Sequence, residues 1–244
     1  MSDDLEPQSA AEPGSARDDA ERMSPDPLLV EDVLLLLFQP DSGSIAGENI
    51  LFYVLGGAVL TDLALIGRAE AEKRALSTRV EAIGDGVMPD ELLDPAWLYL
   101  AEKPRGVQTV IAAVGPELRG PVLDRLVARG DLTRTKGKAL GIFPTTKLAL
   151  GSGRRAGLIE RVRAALIDGE TPDPRTAASI ALLSASATLP QFDAEIPWSG
   201  DVYTRAKELE RGDWGAAAAS SAVARTMNAV IANAVIAATV LPRN

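Results

Sequence analysis

The sequence predicts a mainly α protein that carries a β-hairpin. Three observations lead there. Apolar runs of helical length recur along the chain, at Leu28–Phe38, Glu48–Ile66, Arg175–Leu189 and Trp214–Leu241. An Asp-Pro dipeptide, which reads as a helix cap followed by a proline in the first turn, stands at Asp26-Pro27, Asp94-Pro95 and Asp173-Pro174, each before an apolar run. Between them lies a basic, glycine-containing segment flanked by short apolar stretches, which is a hairpin pattern. The 244 residues, 46% of them hydrophobic, suffice for one large core or two smaller ones.

Residues 1–25 are polar and acidic and read as a disordered tail. They lack the basic and apolar regions of a signal peptide. The domain proper is expected over 28–244. Its first helix, Leu28 to Phe38, is apolar nearly all round after Asp32 and is expected to be central. Gln39 to Ser44 is a turn. Glu48 to Ile66 is a second core helix, with Gly56-Gly57 admitting close approach of a neighbour and Gly67 ending it. Its uncharged stretch stops at Asp62, short of the ~20 apolar residues a bilayer span needs. Ala69 to Ile83 fits either a strand pair or a charged helix. Gly84-Asp85-Gly86 is a turn, and Pro95 to Glu102 a further helix.

The charge distribution is uneven. Residues 1–102 carry six Lys/Arg against twenty-one Asp/Glu, a charge of −15; residues 103–163 carry thirteen against four, +9; residues 164–244 carry six against nine, −3, which together give the net −9. A basic block in an acidic chain suggests an anionic partner, although solvated helix faces carry mixed charge as well. Within the block, Pro121 to Arg129 is a short amphipathic helix and Gly130 its left-handed end. Asp131 to Phe143 is the hairpin, with its basic residues at the tip. Gly151-Ser152-Gly153 interrupts, and a helix starts at Arg154 or Arg155. Arg119, Arg125, Arg134, Lys136, Lys138, Arg154 and Arg155 are the candidate anion-binding residues. Leu140, Ile142 and Phe143 either insert into a membrane or pack on the core.

Beyond the block, Arg175 to Leu189 is a helix, Phe192 to Pro197 a loop and Val202 to Leu209 a charged helix. Trp214 to Leu241 is long enough to span a bilayer, but Arg225, Asn228 and Asn233 favour a core helix.

Catalytic patterns are absent from the sequence. There is no histidine and no cysteine, so the commonest base, the nitrogen/sulfur zinc site and thiol chemistry are unavailable. No G-x-x-x-x-G-K-[ST] loop occurs, and Gly151-Ser152-Gly153 before two arginines is at most an anion nest. Ser220-Ser221 has no visible base. Neither an enzyme nor a cofactor is expected. Arginine and alanine outnumber lysine as in a GC-rich bacterial genome.

Taken in order, LLVEDVLLLLF, GGAVLTDLALIGRAEAE, VLDRLVARGDL, IFPTTKLAL and AVIANAVIAATV resemble the Golgi phosphoprotein 3 family over most of Leu28–Val240. The resemblance implies a single-domain helical bundle with a projecting hairpin. It also implies a non-enzymatic peripheral membrane protein, cytoplasmic and reversibly held at the inner face of a membrane. Eukaryotic members recognise phosphatidylinositol 4-phosphate and act as adaptors for glycosyltransferases. The family's lipid-site tryptophan falls near Gly47, one arginine at Gly56, and two further arginines at Pro116 and Arg119, so only Arg119 matches. The expected partners are an acidic phospholipid surface, protein clients and further copies of the chain. Two other readings compete. A winged-helix-like module would use the same arginines on nucleic acid, which the acidic net charge disfavours, and a scaffold would meet an acidic protein.

Overall fold

A computed structural model describes residues 26–74, 77–139, 143–212 and 226–232. The tail, the interior of the Trp214–Leu241 run other than 226–232, and the tip residues Leu140 and Ile142 lie outside them. The fold is mainly α with small antiparallel hairpins.

Helix α1 (Leu29–Leu37) is the centre, with every residue buried, Glu31 and Asp32 included. A two-residue β1–β2 ribbon (Phe38–Gln39, Ser44–Ile45) closes the turn after it. A single 3-10 turn (Glu48–Ile50) leads into α2 (Leu51–Leu65). Glu48–Leu65 is long and apolar enough to cross a membrane, yet 67% of it is buried inside the protein. Gly67 adopts φ +71°, and the N–H of Arg68 reaches back to the carbonyl of Leu63, which satisfies the last turn of α2. The Ala69–Ile83 ambiguity resolves as a strand pair, β3 (Ala69–Arg74) and β4 (Ser77–Ala82), extended by β5 (Arg105–Gly106). Ala69, Ala71 and Val80 turn inward and are buried, the period-2 pattern of a half-buried hairpin.

Helices α3 (Asp94–Ala101) and α4 (Val107–Ala128) follow. The expected short helix at Pro121–Arg129 is the last part of α4. Pro116 and Pro121 stand within α4 and are both exposed. The residues whose carbonyls lose a donor there, Ala112 and Glu117, are exposed as well, so water can satisfy those groups and the helix continues. The end of α4 matches expectation: the N–H of Asp131 bonds to Leu126 and that of Gly130 to Val127, around φ +76° at Gly130.

Strands β6 (Leu132–Ala139) and β7 (Phe143–Leu150) form the basic hairpin. Then come α5 (Arg154–Leu166), α6 (Pro174–Ala185), a 3-10 turn (Leu189–Phe192) and α7 (Gly200–Glu210), with residues 226–232 helical against β3. Of the three Asp-Pro starts, Asp173 caps α6 as expected, accepting from the N–H groups of Arg175 and Thr176. Burial raises the Asp173 carboxyl pKa, but those bonds and the Thr176 hydroxyl outweigh it and hold the value below the ordinary one. The other two differ: Asp94 is the first residue of α3, and α1 begins only after Leu28.

Helices α2 and α4 cross at glycines. A Cβ on Gly115 would lie 2.3 Å from the carbonyl oxygen of Phe52, and one on Gly56 would lie 3.1 Å from the Ile111 side chain. The Phe52 atom is backbone and cannot rotate away. Gly115→Ala is therefore expected to cost about 2–3 kcal/mol through helix separation, read as a lower urea midpoint at unchanged slope.

Candidate functional site

Six of the seven basic candidates fall into two sets. The first set converges on α1, chiefly at its N-terminus. Leu28 offers no side-chain acceptor there, so acids from elsewhere satisfy the free donors. The Glu31 carboxylate accepts from the N–H of Leu28 at 2.8 Å. Asp62 of α2 accepts from the N–H groups of Leu29 and Val30 at 2.8 and 3.0 Å. Glu31 also pairs with Arg129 at 3.2 Å and Arg125 at 3.5 Å. Asp32 pairs with Arg154 at 2.5 Å and Arg175 at 2.6 Å. Arg154 pairs in addition with Asp131 at the hairpin root, and Arg125 with Asp90. Helices α2, α4, α5 and α6 and the hairpin root thus meet at the start of α1.

Electrostatics in this hub are self-contained. Burial pulls the Arg125 guanidinium down, but Asp90, Glu31 and Glu91 outweigh it and hold the pKa above its ordinary value. Arg154 behaves likewise between Asp32 and Asp131. Asp62 has its pKa raised to about 7, because burial outweighs its two N–H donors and the Arg175 charge. Arg155 is 2% exposed and donates to both Glu195 carboxylate oxygens and to the Leu36 carbonyl. Arg125, Arg154 and Arg155 are therefore each placed against carboxylates of the folded body. The acidic partners lie up to 122 residues away in sequence, so no local pattern signals them.

The second set lies on the hairpin. The register pairs Arg134 with Leu148, Lys136 with Thr146 and Lys138 with Pro144. Residues two apart on a strand share a face, so the backbone places Arg134, Lys136 and Lys138 at successive positions of one face, ~7 Å apart. Gly137 pairs with Thr145 inside the ladder, so the basic residues lie along the arm of the hairpin rather than at its tip. Thr133 through Gly137 are exposed. Arg134 pairs with Asp124 at 2.7 Å on the surface, while Lys136 and Lys147 have no ion-pair partner among the described residues. Phe143 opens β7, and its side chain lies outside the described residues, as do Leu140 and Ile142.

Arg119 belongs to neither set. It stands half-exposed on α4 and pairs with Glu48 at 2.5 Å. Gly47, beside Glu48, has φ +66°, and a Cβ there would lie 2.8 Å from the Thr188 methyl. Gly56 is closed by Ile111. The exposed side of α4 carries Glu117 and Asp124 beside Arg119, so it does not present the continuous basic surface of a DNA-recognition helix.

An all-buried central helix, small hairpins on a helical body and an arginine-rich unit around a basic hairpin define a hairpin-bearing helical class of protein. The Golgi phosphoprotein 3 (GPP34) family model matches residues 29–226, and the chain belongs to that family. No curated protein matches the chain in sequence.

Proposed function

We propose that this protein is a non-enzymatic peripheral membrane adaptor that binds acidic, phosphoinositide-type headgroups through the basic face of the β6–β7 hairpin. Its place would be cytoplasmic, at the inner face of a membrane. One observation carries the reading: three cationic residues follow one another on one face of the hairpin, whereas the arginines around α1 already hold carboxylates. Family membership supports lipid or protein partners in general terms.

Magnitudes set the mode of attachment. Each cation near an anionic surface contributes about 1 kcal/mol, so three supply about 3 kcal/mol, weaker than millimolar binding. Burial of an apolar residue at the end of the hairpin, such as Phe143, would add about 1.5–3 kcal/mol. Protein clients or several copies on one surface would multiply such contacts. Because Gly47, Gly56 and Pro116 replace the family's lipid-site residues, binding is expected to follow the anionic fraction of the membrane more than the 4-phosphate.

The test is sedimentation with neutral vesicles, phosphatidylserine vesicles and charge-matched vesicles containing phosphatidylinositol 4-phosphate. The full chain is expected to sediment with both anionic kinds and not with the neutral kind. Combined Arg134→Ala, Lys136→Ala and Lys138→Ala is expected to weaken binding roughly a hundredfold, the equivalent of about 3 kcal/mol. Unchanged binding in the triple variant would remove the hairpin from the reading. Binding to duplex DNA without binding to any vesicle would replace it with the nucleic-acid reading.

A further inference from the structure

We infer that the acidic N-terminal segment, residues 1–25, docks on the basic face of the β6–β7 hairpin of its own chain and competes there with the anionic surface. The inference rests on the function proposed above, and three observations carry it.

The first is the place where the segment joins the body. The Pro27 carbonyl accepts from Arg175 at 2.6 Å, and the same guanidinium nitrogen donates to Asp32 at 2.6 Å. Arg154 then joins Asp32 to Asp131, the residue before β6. Two guanidinium bridges thus separate Pro27 from the hairpin root, a distance on the order of 10–15 Å.

The second is reach. Lys136 stands four residues beyond Leu132, about 14 Å along β6. Twenty-five residues span up to roughly 85 Å when extended. The segment can therefore cover the basic face from root to tip with length to spare.

The third is charge. Residues 1–25 hold seven carboxylates and two arginines, a side-chain charge of −5, with Asp18, Asp19 and Glu21 nearest to the point of attachment. Of the other arginines near that point, Arg154 and Arg175 are occupied by Asp32 and Asp131, and the exposed Arg161 lies beside Asp173, whose carboxyl its charge favours. Lys136 has no ion-pair partner among the described residues, and Arg134 has only the exposed Asp124. Tethering gives the segment a millimolar effective concentration at the hairpin, comparable with the weak membrane attraction it would oppose.

Two readouts test this with the full chain. The protein has no cysteine, so Ser15→Cys provides a unique site for a nitroxide label. At low salt the label is expected to broaden the amide signals of Thr133–Gly137. The broadening should vanish at about 0.5 M salt, where the screening length falls to a few ångströms, and in a chain whose seven tail carboxylates are replaced by their amides. Hairpin signals that ignore the label at low salt would overturn the docking. In vesicle sedimentation at ~0.1 M salt, the amide-substituted chain is expected to bind anionic vesicles about tenfold more tightly than the natural chain. Equal binding would overturn the competition. If neither chain binds vesicles, the membrane function fails, and the relaxation measurement alone then decides whether the tail docks.

Discussion

Asp32→Ala is expected to destabilise the fold by about 3 kcal/mol. Asp32 is 7% exposed and accepts from Arg154 and Arg175 together. Its removal leaves two guanidinium groups without that carboxylate. Arg154 keeps Asp131, and the side chain of Arg175 is 38% exposed, so water recovers part of the loss. This places the expected cost at the low end of the range for broken buried pairs. Urea denaturation checks it as a lower midpoint at unchanged slope. Asp32→Ala combined with Arg175→Ala should cost less than the two single losses added together, because the pair acts as a unit. A loss below about 1 kcal/mol would mean that the hub behaves as a solvated surface network.

Asp62→Asn is expected to change how stability depends on pH. The Asp62 carboxyl titrates at about 7 in the folded chain, against an ordinary value of 3.8. Between those values the folded state keeps its proton while the unfolded state has released it. The stabilisation from this group is therefore fully present below about pH 4 and is lost as pH rises to about 7. The span corresponds to on the order of 4 kcal/mol. Asparagine cannot ionise, so it lacks this slope. It also turns an N–H₂ group toward one of the two backbone donors, Leu29 or Val30, at a cost of about 1–3 kcal/mol that does not vary with pH. The natural protein should thus exceed the variant in stability near pH 4, and that advantage should shrink by several kcal/mol towards pH 7. Denaturation of both chains across this range measures the difference directly. Parallel curves would show that Asp62 ionises normally in the fold.

Local pattern is informative where a feature is built from neighbours in sequence. The apolar run at Leu28–Phe38 marks the central helix because burial on every side requires apolar residues on every side. Gly67 and Gly130 mark helix ends because a left-handed residue is needed there. The hairpin after Gly130 is legible for a similar reason, since short apolar stretches flank a polar, basic segment. Local pattern misleads where tertiary contacts override it. Pro121 has the signature of a helix start, yet α4 runs through it on an exposed side, where Glu117, the residue that loses its donor, is open to water. Gly137 has the signature of a turn, yet it pairs with Thr145 inside the ladder, and the pairing runs on to Ala139.

The candidate site shows the same division. That residues 103–163 are strongly basic is a property of composition, countable along the chain. Which of those cations remain available depends on carboxylates remote in the chain. Arg125, Arg154 and Arg155 look no different in sequence from Arg134. They meet Glu31, Asp90, Asp32, Asp131 and Glu195 only because folding brings α1, α4, α5 and the segment after α6 together. An ion pair depends on distance in space, which sequence separation does not specify. Helical periodicity, caps and charge counts therefore follow from the chain read locally, while the separation of the basic residues into an interior hub and a hairpin face arises only from long-range packing.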